Sequence, residues 1–294
     1  MEPEEKEKLL QAGKMASEVR EFIRSEAKPG VKLLDLANKA DGKIISLGGK
    51  PAFPINLSLN HIAAHFTPGI NDEHVFTEQD VLKIDVGVQV DGFIADTACT
   101  VGFETDLIKA SEEALKAAVK VCRPGVKVCE IGREVEQVIK SYDDYEPIRN
   151  LNGHSLERYD LHSGLTIPNF DNTCQDVLNE GDVVAIEPFA TTGVGRVKEG
   201  KPSGIYKLEG FAPIRSMEAR KLMQFIEKKY NYLPFARRWL AAMPANILNL
   251  KILEREGVVT QYPELPEESR GLVSQTEHTV IIEDKPIVTT LKRD

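Results

Sequence analysis

Cysteine is scarce in this chain, and its pattern excludes two classes of protein. The 294 residues contain four cysteines, Cys99, Cys122, Cys129 and Cys174. None of them stands in a Cys-x-x-Cys pair, so the sequence supports neither a thiolate zinc site nor a disulfide framework. The reducing cytoplasm is therefore the expected location.

Long apolar runs are also missing. No stretch approaches the roughly 18 apolar residues that a membrane-spanning helix needs. Residues 1–6 are charged, unlike the apolar core of a secretory signal, so neither export nor membrane insertion is expected. The formal net charge of −9 argues against nucleic acid as the main partner, and no DNA binding is expected.

The most informative stretch that is present is residues 77–102. Two apolar runs flank the pair Asp91-Gly92, which favours a β-hairpin because this pair readily adopts the positive φ of a tight turn. Each run carries one carboxylate, Asp85 in the first and Asp96 in the second. A turn with an even number of residues would place both carboxylates on one face of the hairpin.

Two carboxylates on one face raise an electrostatic problem. At about 4 Å they repel by roughly 4 kcal/mol at an effective dielectric of about 20. A fold keeps such a pair by protonating one member or by placing a cation between them. The alternative is that Asp85 and Asp96 are unrelated residues at strand edges.

The chain also repeats itself. Residues 28–32, Lys-Pro-Gly-Val-Lys, return as Arg-Pro-Gly-Val-Lys 95 positions later. His65 corresponds to His162 in the second copy, and the acid-bearing run that ends at Asp85 corresponds to a run that ends at Glu187. We therefore predict an internal duplication of two α+β halves that face each other across a site, with chance similarity as the alternative. The predicted helices of the two halves are 4–25 with 33–47, and 105–121 with 129–141.

The composition changes after about residue 205. Predicted helices at 216–229 and 235–256, the second broken at Pro244, precede extended residues near 258–266. This block has no counterpart in the first half and resembles a winged-helix unit. We predict a main domain of residues 1–195 with 272–294 and an insertion of residues 196–271.

Two features near this insertion are predicted to be structural. Arg237 and Arg238, beside Trp239, are expected to pack against the protein instead of binding nucleic acid. The glycine-rich residues 191–204 lack the spacing of a phosphate-binding loop and are expected to form a flexible surface loop.

Four carboxylates occupy apolar, strand-like contexts: Asp85, Asp96, Glu187 and Glu277. Buried carboxylates are rare unless they are paired or bind metal. Together with His154 they form a ligand set dominated by oxygen, which suits two divalent metals bridged by carboxylates. Such a pair activates water and polarises a carbonyl, so the chemistry indicated is hydrolysis. The other histidines outside the repeat, His61, His74 and His278, are predicted to be structural.

These five residues, in this order, resemble the metal ligands of the methionine aminopeptidases, whose fold is shared with creatinase and prolidase. The resemblance covers essentially the whole chain. The insertion before Glu277 resembles the type II branch, and the short N-terminus resembles the archaeal form. The fold implied is the α+β pita-bread fold, pseudo-two-fold, with a helical insertion. The matching strings are Asn-His-Ile-Ala-Ala-His-Phe-Thr-Pro at 60–68, Asp-Val-Gly at 85–87, Asp-Gly-Phe-Ile-Ala-Asp at 91–96, Gly-His at 153–154, Ile-Glu-Pro-Phe at 186–189 and Gln-Thr-Glu-His-Thr at 275–279.

The resemblance implies a role for each ligand. Asp85 would chelate one metal, and His154 with Glu187 would hold the other. Asp96 and Glu277 would bridge both. The cofactor would be two divalent ions, drawn from cobalt, manganese, iron and zinc.

The resemblance also implies substrate contacts. His65 and His162 are similar to the two family histidines of which one would hydrogen-bond the scissile amide and the other would stabilise the tetrahedral intermediate. Phe53 and Leu161 would line the pocket for the methionine side chain, and Tyr262 would close it. Ordinary core packing is the alternative for these last three residues.

The activity implied is removal of the N-terminal methionine from nascent polypeptides whose next residue is small, by attack of a metal-bridging hydroxide on the first carbonyl. One alternative is an Xaa-Pro peptidase, which shares the five ligands but usually carries a separate N-terminal domain. Another is a non-catalytic protein that uses the insertion to contact RNA or ribosomes, a type whose known members have lost ligands. Transient ribosome association is compatible with the enzyme, and a monomer is expected.

Overall fold

The computed structural model describes residues 1–142, 144–240 and 244–291. Its helices and strands follow the order expected from the sequence, and the first four helices begin and end within a residue or two of the predicted positions. The helices are α1 (Pro3–Glu26), α2 (Leu33–Ser46), α3 (Thr105–Val121), α4 (Val128–Lys140), α5 (Met217–Tyr230) and α6 (Pro244–Arg255), with a 3₁₀ helix at Arg237–Leu240. The strands are β1 (Lys50–Pro51), β2 (Asn56–Leu59), β3 (Ile62–Ala64), β4 (Val81–Val90), β5 (Phe93–Gly102), β6 (Glu146–Pro147), β7 (Gly153–Ser155), β8 (Thr166–Ile167), β9 (Val183–Ile186), β10 (Phe189–Thr191), β11 (Pro202–Leu208), β12 (Phe235–Ala236), β13 (Val259–Pro263), β14 (Leu265–Pro266), β15 (Val273–Gln275), β16 (Glu277–Ile281) and β17 (Ile287–Val288).

The main sheet contains the strands that were predicted to carry the acids. Its strand order is β1-β4-β5-β16-β9-β7-β8, with β2 also paired to β4 and β17 to β16. The pairings within it are antiparallel, and β5 meets β16 near its centre, where Thr97 lies opposite His278. The two strands of this central pair are separated by about 180 residues of chain, so the centre of the sheet is a long-range contact.

Each half of the sheet has its own helices and its own core. The apolar stripe of α1, which includes Met15, Val19 and Ile23, packs with α2 and with strands β2 and β4. Helices α3 and α4 pack in the same way with β9 and the C-terminal part of β16. The fold therefore consists of two helix pairs, each covering one half of the sheet.

The predicted duplication is visible in the backbone hydrogen bonds. In both halves the backbone of the Pro-Gly break between the helices forms hydrogen bonds with the segment that precedes the acid-bearing strand. The glycine of the break has positive φ, 93° at Gly30 and 83° at Gly125. The two halves are thus built to one plan. The corresponding contacts are Gly30 N to Phe76 O and Gly125 N to Leu178 O, each 2.8 Å, and the isolated bridges Lys32–Val75 and Lys127–Val177.

The insertion forms a small unit with its own core. Strands β12, β11 and β13 make a separate three-stranded sheet, against which α5 and α6 pack. The prediction of one helix over 235–256 was wrong. Phe235 pairs with Tyr206 as a strand, and a 3₁₀ helix follows. Pro244 opens α6 instead of breaking it, because proline fits the first turn of a helix, where its missing N–H costs nothing; residues 241–243 lie outside the described residues.

A buried ion pair joins the insertion to the main domain. Arg238 Nη2 lies 3.1 Å from Asp41 Oδ2 on α2, and the indole N–H of Trp239 donates to the same oxygen at 2.7 Å. The prediction that Arg238 packs against the protein is therefore confirmed.

The glycine-rich segment is held in place by one carboxylate. Glu267 is fully buried and accepts hydrogen bonds from the backbone N–H groups of Val194, Ser269 and Gly271 at 2.6–2.9 Å. Val194 is exposed, but Thr191 belongs to β10 and residues 202–204 belong to β11, so the prediction of a loop over the whole of 191–204 was wrong at both ends. Among the helices of the described ranges, none combines the length and apolar character needed to cross a membrane.

Candidate metal centre

The turn of the hairpin has the predicted form. Val90 pairs with Phe93, which leaves Asp91 and Gly92 as a two-residue loop. Their φ angles are 50° and 90°, so both adopt the left-handed conformation that the Asp-Gly pair was expected to supply. Because the loop has an even number of residues, it determines which side chains of β4 and β5 lie on the same face of the sheet.

The register of the hairpin brings its two aspartates together. Asp85 lies opposite Ala98, and Asp96 lies opposite Gly87, so the two carboxylates are diagonal neighbours on one face. Asp96 is buried and Asp85 is partly buried, and repulsion from Asp85 helps to raise the pKa of Asp96. The predicted electrostatic conflict is therefore present.

The remaining acids and the histidine continue the row across the sheet. Glu277 on β16 also lies opposite Ala98, on the other side of β5. Glu187 directly follows β9, and the register of β9 with β16 places it level with Glu277. His154 on β7 lies opposite Ala185, two residues before Glu187. Five adjacent strands, in the spatial order β4, β5, β16, β9 and β7, thus contribute one side chain each to the same face.

All ten residues predicted for the site line one cavity of about 190 Å³. The cavity lies over the row of acids, and its wall includes side chains from the main sheet, from the β2–β3 region and from the insertion. The sequence-predicted members of this wall are Phe53, His65, Asp85, Asp96, His154, Leu161, His162, Glu187, Tyr262 and Glu277.

The spacing of the side chains fits a cation. His154 Nε2 lies 3.9 Å from Asp96 Oδ2 and 3.9 Å from Glu187 Oε1, which is too long for a hydrogen bond. Ligand atoms of Asp96, His154 and Glu277 all lie within 4.8 Å of one another. Oδ1 of Asp85 and Oδ1 of Asp96 are buried and have no hydrogen-bond partner within the described part of the chain.

Burial raises the pKa values of all four carboxyl groups, and repulsion between carboxylates adds to this for Asp96, Glu187 and Glu277. Burial raises the pKa of Asp85 to about 7. Burial, followed by the neighbouring carboxylates, raises the pKa of Asp96, of Glu187 and of Glu277 well above the ordinary range. Four acids would have to share protons unless positive charge lies among them. The donor set, with oxygen dominant and one imidazole, fits divalent metal.

The histidines of the cavity are held neutral. Burial lowers the pKa of His154 to about 3 and that of His65 to about 4, and it also lowers the pKa of His162. His65 Nδ1 lies 3.1 Å from the carbonyl oxygen of Pro263. Because a carbonyl only accepts, Nδ1 carries the hydrogen, and Nε2 of the neutral ring remains an acceptor.

The apolar wall depends on one glycine. A Cβ at Gly87 would lie 2.8 Å from Cζ of Phe53 and nearer still to two other ring atoms, so only glycine leaves room for the ring. Phe53 and Leu161 are buried against the cavity. Tyr262 meets His65 edge to face, with ring centroids 5.2 Å apart.

Sequence reasoning missed several residues of this cavity. Ile205 and Pro234 reach it from the insertion, and no local pattern marks them. Gln275 is not part of the cavity wall, but its almost fully buried side chain donates from Nε2 to Glu187 Oε2 at 3.2 Å. Asn56 is a buried polar residue in a strand. It could have been predicted as a site residue only if the pairing of its strand with the acid-bearing strand β4 had been known.

The fold and this row of ligand-type side chains define a metallopeptidase. The sequence profile of metallopeptidase family M24 matches residues 7–284, and the chain belongs to this family. It is 47% identical to the methionine aminopeptidase of Methanocaldococcus jannaschii over 99% of this chain and 100% of that protein. It is 52% identical to the methionine aminopeptidase of Pyrococcus abyssi over 97% and 99% of the two chains.

Solved structures confirm the pita-bread fold expected from the sequence. The methionine aminopeptidase of Thermotoga maritima superposes with a TM-score of 0.73 at 21% identity, covering 99% of this chain and 98% of that one. A thermophilic Arx1 superposes with a TM-score of 0.89 at 17% identity, covering 100% and 92%. At these identities the likeness concerns the fold alone.

Proposed function

We propose that this chain is a metal-dependent methionine aminopeptidase, which removes the N-terminal methionine of nascent polypeptides when the next residue is small. The observation that carries the proposal is the row of five ligand-type side chains on five adjacent strands. The curated relatives at 42–52% identity that bear the name methionine aminopeptidase support it along nearly the full chain.

The proposed ligands divide between two divalent ions. Asp85 would hold one ion, His154 and Glu187 would hold the other, and Asp96 and Glu277 would be shared by both. The charge supports two ions, since four carboxylates carry −4 when ionised and two divalent ions carry +4. Burial and repulsion between the carboxylates raise the pKa values of Asp96, Glu187 and Glu277, so nearby positive charge would favour their ionised form. Cobalt, manganese, iron and zinc are the proposed candidates.

When bound, the metals supply an activated water and polarise the first peptide carbonyl. The remaining work falls to the protein. Nε2 of His65, an acceptor because Nδ1 donates to Pro263 O, accepts the N–H of the scissile amide. His162, neutral and beside His154 with ring centroids 4.4 Å apart, donates to the developing oxyanion. Phe53 and Leu161 take up the methionine side chain, and Tyr262 closes the pocket.

An Xaa-Pro peptidase is less well supported. The prolidase of Pyrococcus furiosus superposes with a TM-score of 0.63, but at 17% identity, and this chain covers only 65% of it. The likeness to prolidase therefore concerns fold alone. A non-catalytic role is disfavoured by the presence of all five ligand-type residues in one cavity.

The test is hydrolysis of Met-Ala-Ser by metal-stripped protein with each divalent metal added back. Asp96→Asn removes a bridging charge, so it is expected to abolish metal-dependent cleavage while the protein stays folded. Asp91→Asn is the matched control, because it makes the same change at the exposed turn of the same hairpin, where Asn-Gly is equally suitable. Full activity in Asp96→Asn would refute the site assignment. Preferential cleavage of Xaa-Pro peptides would favour an Xaa-Pro peptidase over a methionine aminopeptidase.

Four further expectations belong to this proposal. An enzyme acting on newly made chains works where they are synthesised, so the proposed compartment is the cytoplasm. Transient association with ribosomes and a monomeric state stay predictions from the sequence. The division into a main domain, residues 1–195 with 272–294, and an insertion, 196–271, also stays a prediction, supported by the separate core of the insertion.

A further inference from the structure

The row of acids has a neutral neighbour at one end. Asn56 on β2 lies directly opposite Asp85, so the two side chains share the face that carries the site. Asn56 is 4% exposed and lines the same cavity. It is therefore a buried polar residue next to the first proposed ligand.

The orientation of its amide is fixed by one hydrogen bond. Nδ2 of Asn56 donates to the carbonyl oxygen of Pro54 at 3.0 Å. The reverse orientation would set two acceptors against each other, so the assignment of nitrogen and oxygen follows from the contact. Oδ1 is then buried and, among the residues that the structure describes, has no hydrogen-bond partner. Buried acceptors of this kind normally have a donor.

The position of Asn56 indicates which donor. Phe53 of the apolar wall lines the same cavity as Asn56, and Asp85 lies directly opposite Asn56 in the sheet. The first residue of a peptide carries an apolar side chain and an amino group on the same Cα. With its side chain against Phe53 and its amino group drawn to the acids, that amino group comes within reach of Asn56.

We propose that Oδ1 of Asn56 accepts a hydrogen bond from the α-amino group of the substrate, and that Asn56 is thus a positioning residue for the free N-terminus. This inference rests on the proposed aminopeptidase function and deepens it. It adds a contact to the amino group from a residue outside the proposed set of metal ligands.

The test compares two ligands on metal-loaded protein by calorimetry, which needs no turnover. L-Methioninol carries the amino group, and 4-(methylthio)butan-1-ol is the same molecule without it. The quantity measured is the ratio of their affinities. In Asn56→Leu, which keeps the size of the side chain and removes the acceptor, we expect this ratio to fall about tenfold, the size of one net hydrogen bond. A merely structural role would weaken both ligands equally and leave the ratio unchanged.

The control is Asn152→Leu, at the other asparagine of the cavity wall, which is not the strand partner of Asp85. Its affinity ratio is expected to stay within about twofold of the native value. Should Asn56→Leu not fold, Asn56→Ser, whose shorter side chain cannot reach the same point, repeats the measurement. A native ratio in the folded Asn56 variant, or an equal fall in Asn152→Leu, would overturn the proposal. Failure of the native protein to cleave Met-Ala-Ser would instead count against the aminopeptidase function, since the affinity ratio is measured separately.

Discussion

Replacement of Gly87 by alanine should disturb the proposed methionine pocket without replacing a proposed metal ligand. The new Cβ would lie 2.8 Å from Cζ of Phe53 and closer to Cε1 and Cδ1, where ordinary contact begins at 3.4 Å. The ring would therefore have to move by roughly 1 Å, and the free space beside it is the cavity. Overpacking of this size typically costs about 1–3 kcal/mol of the free energy of unfolding.

Activity should fall as well, because the displaced ring occupies the space meant for the substrate side chain. We expect kcat/KM for Met-Ala-Ser to fall about tenfold in Gly87→Ala, which corresponds to about 1.4 kcal/mol. Phe53→Leu removes the ring atoms that clash. In the double variant the combined destabilisation should therefore be at least about 1 kcal/mol smaller than the sum of the two single effects.

The assays are urea denaturation and initial-rate kinetics on the native chain, both single variants and the double variant. Gly42→Ala is the matched control, since no atom lies within 4 Å of a Cβ at this exposed position of α2. It should stabilise the protein by about 0.5–1 kcal/mol, because alanine is a better helix residue than glycine. Additive effects of Gly87→Ala and Phe53→Leu would refute the argument that the ring needs the glycine.

Three other predictions concern charge. Metal-free protein should lose stability as the pH rises from about 4 toward 7. The reason is that acids whose pKa is raised in the folded state, such as Asp85 at about 7, bind protons more tightly in the folded than in the unfolded chain. Added Mn²⁺ should cancel this loss, as measured by thermal melts. Burial by itself raises the pKa of Glu267, but its hydrogen bonds outweigh burial and hold the pKa below the ordinary value. Glu267→Gln should therefore lower the free energy of unfolding at pH 7. The difference in this free energy between the variant and the native chain should shrink as the pH falls through the lowered pKa. Asp41→Ala leaves the buried Arg238 without its carboxylate and should lower the free energy of unfolding by about 3 kcal/mol, much of which Arg238→Met in the same chain should restore.

Each of these has a clear contrary result. A metal-free melting temperature that does not change between pH 4 and 7 would contradict the shared burial of the acids. A constant difference between Glu267→Gln and the native chain at all pH values would mean that the carboxylate charge is irrelevant to the loop. No recovery in the Asp41→Ala, Arg238→Met double variant would show that the lost stability comes from packing and not from an uncompensated charge.

Much of the site could be inferred from local patterns. Asp91-Gly92 between two apolar runs implies a turn, and a turn of even length places Asp85 and Asp96 on one face. The repeat then relates Asp85 to Glu187. These inferences succeed because side-chain alternation in strands and the φ preference of the turn residues are properties of short segments.

Other elements could not be read in this way. The stretch 235–240 has the apolar spacing of a helix, yet Phe235 pairs with Tyr206 in the sheet of the insertion, where tertiary contacts outweigh local preference. Asn56 looks like an ordinary polar strand residue until β2 is set beside β4. Ile205 and Pro234 enter the cavity wall only because the insertion folds over the site.

The sequence alone thus determined helices α1 to α5, the hairpin, the duplicated plan and the identity of the acids, because these depend on residue type and on periodicity over short stretches. Only the tertiary structure decided that the acids form one row. That row requires β5 to meet β16 in a register that sets Glu277 opposite Ala98, across about 180 residues of chain. Local preferences do not specify such a register; it is selected when two cores pack against the two halves of one sheet and bury their apolar faces together.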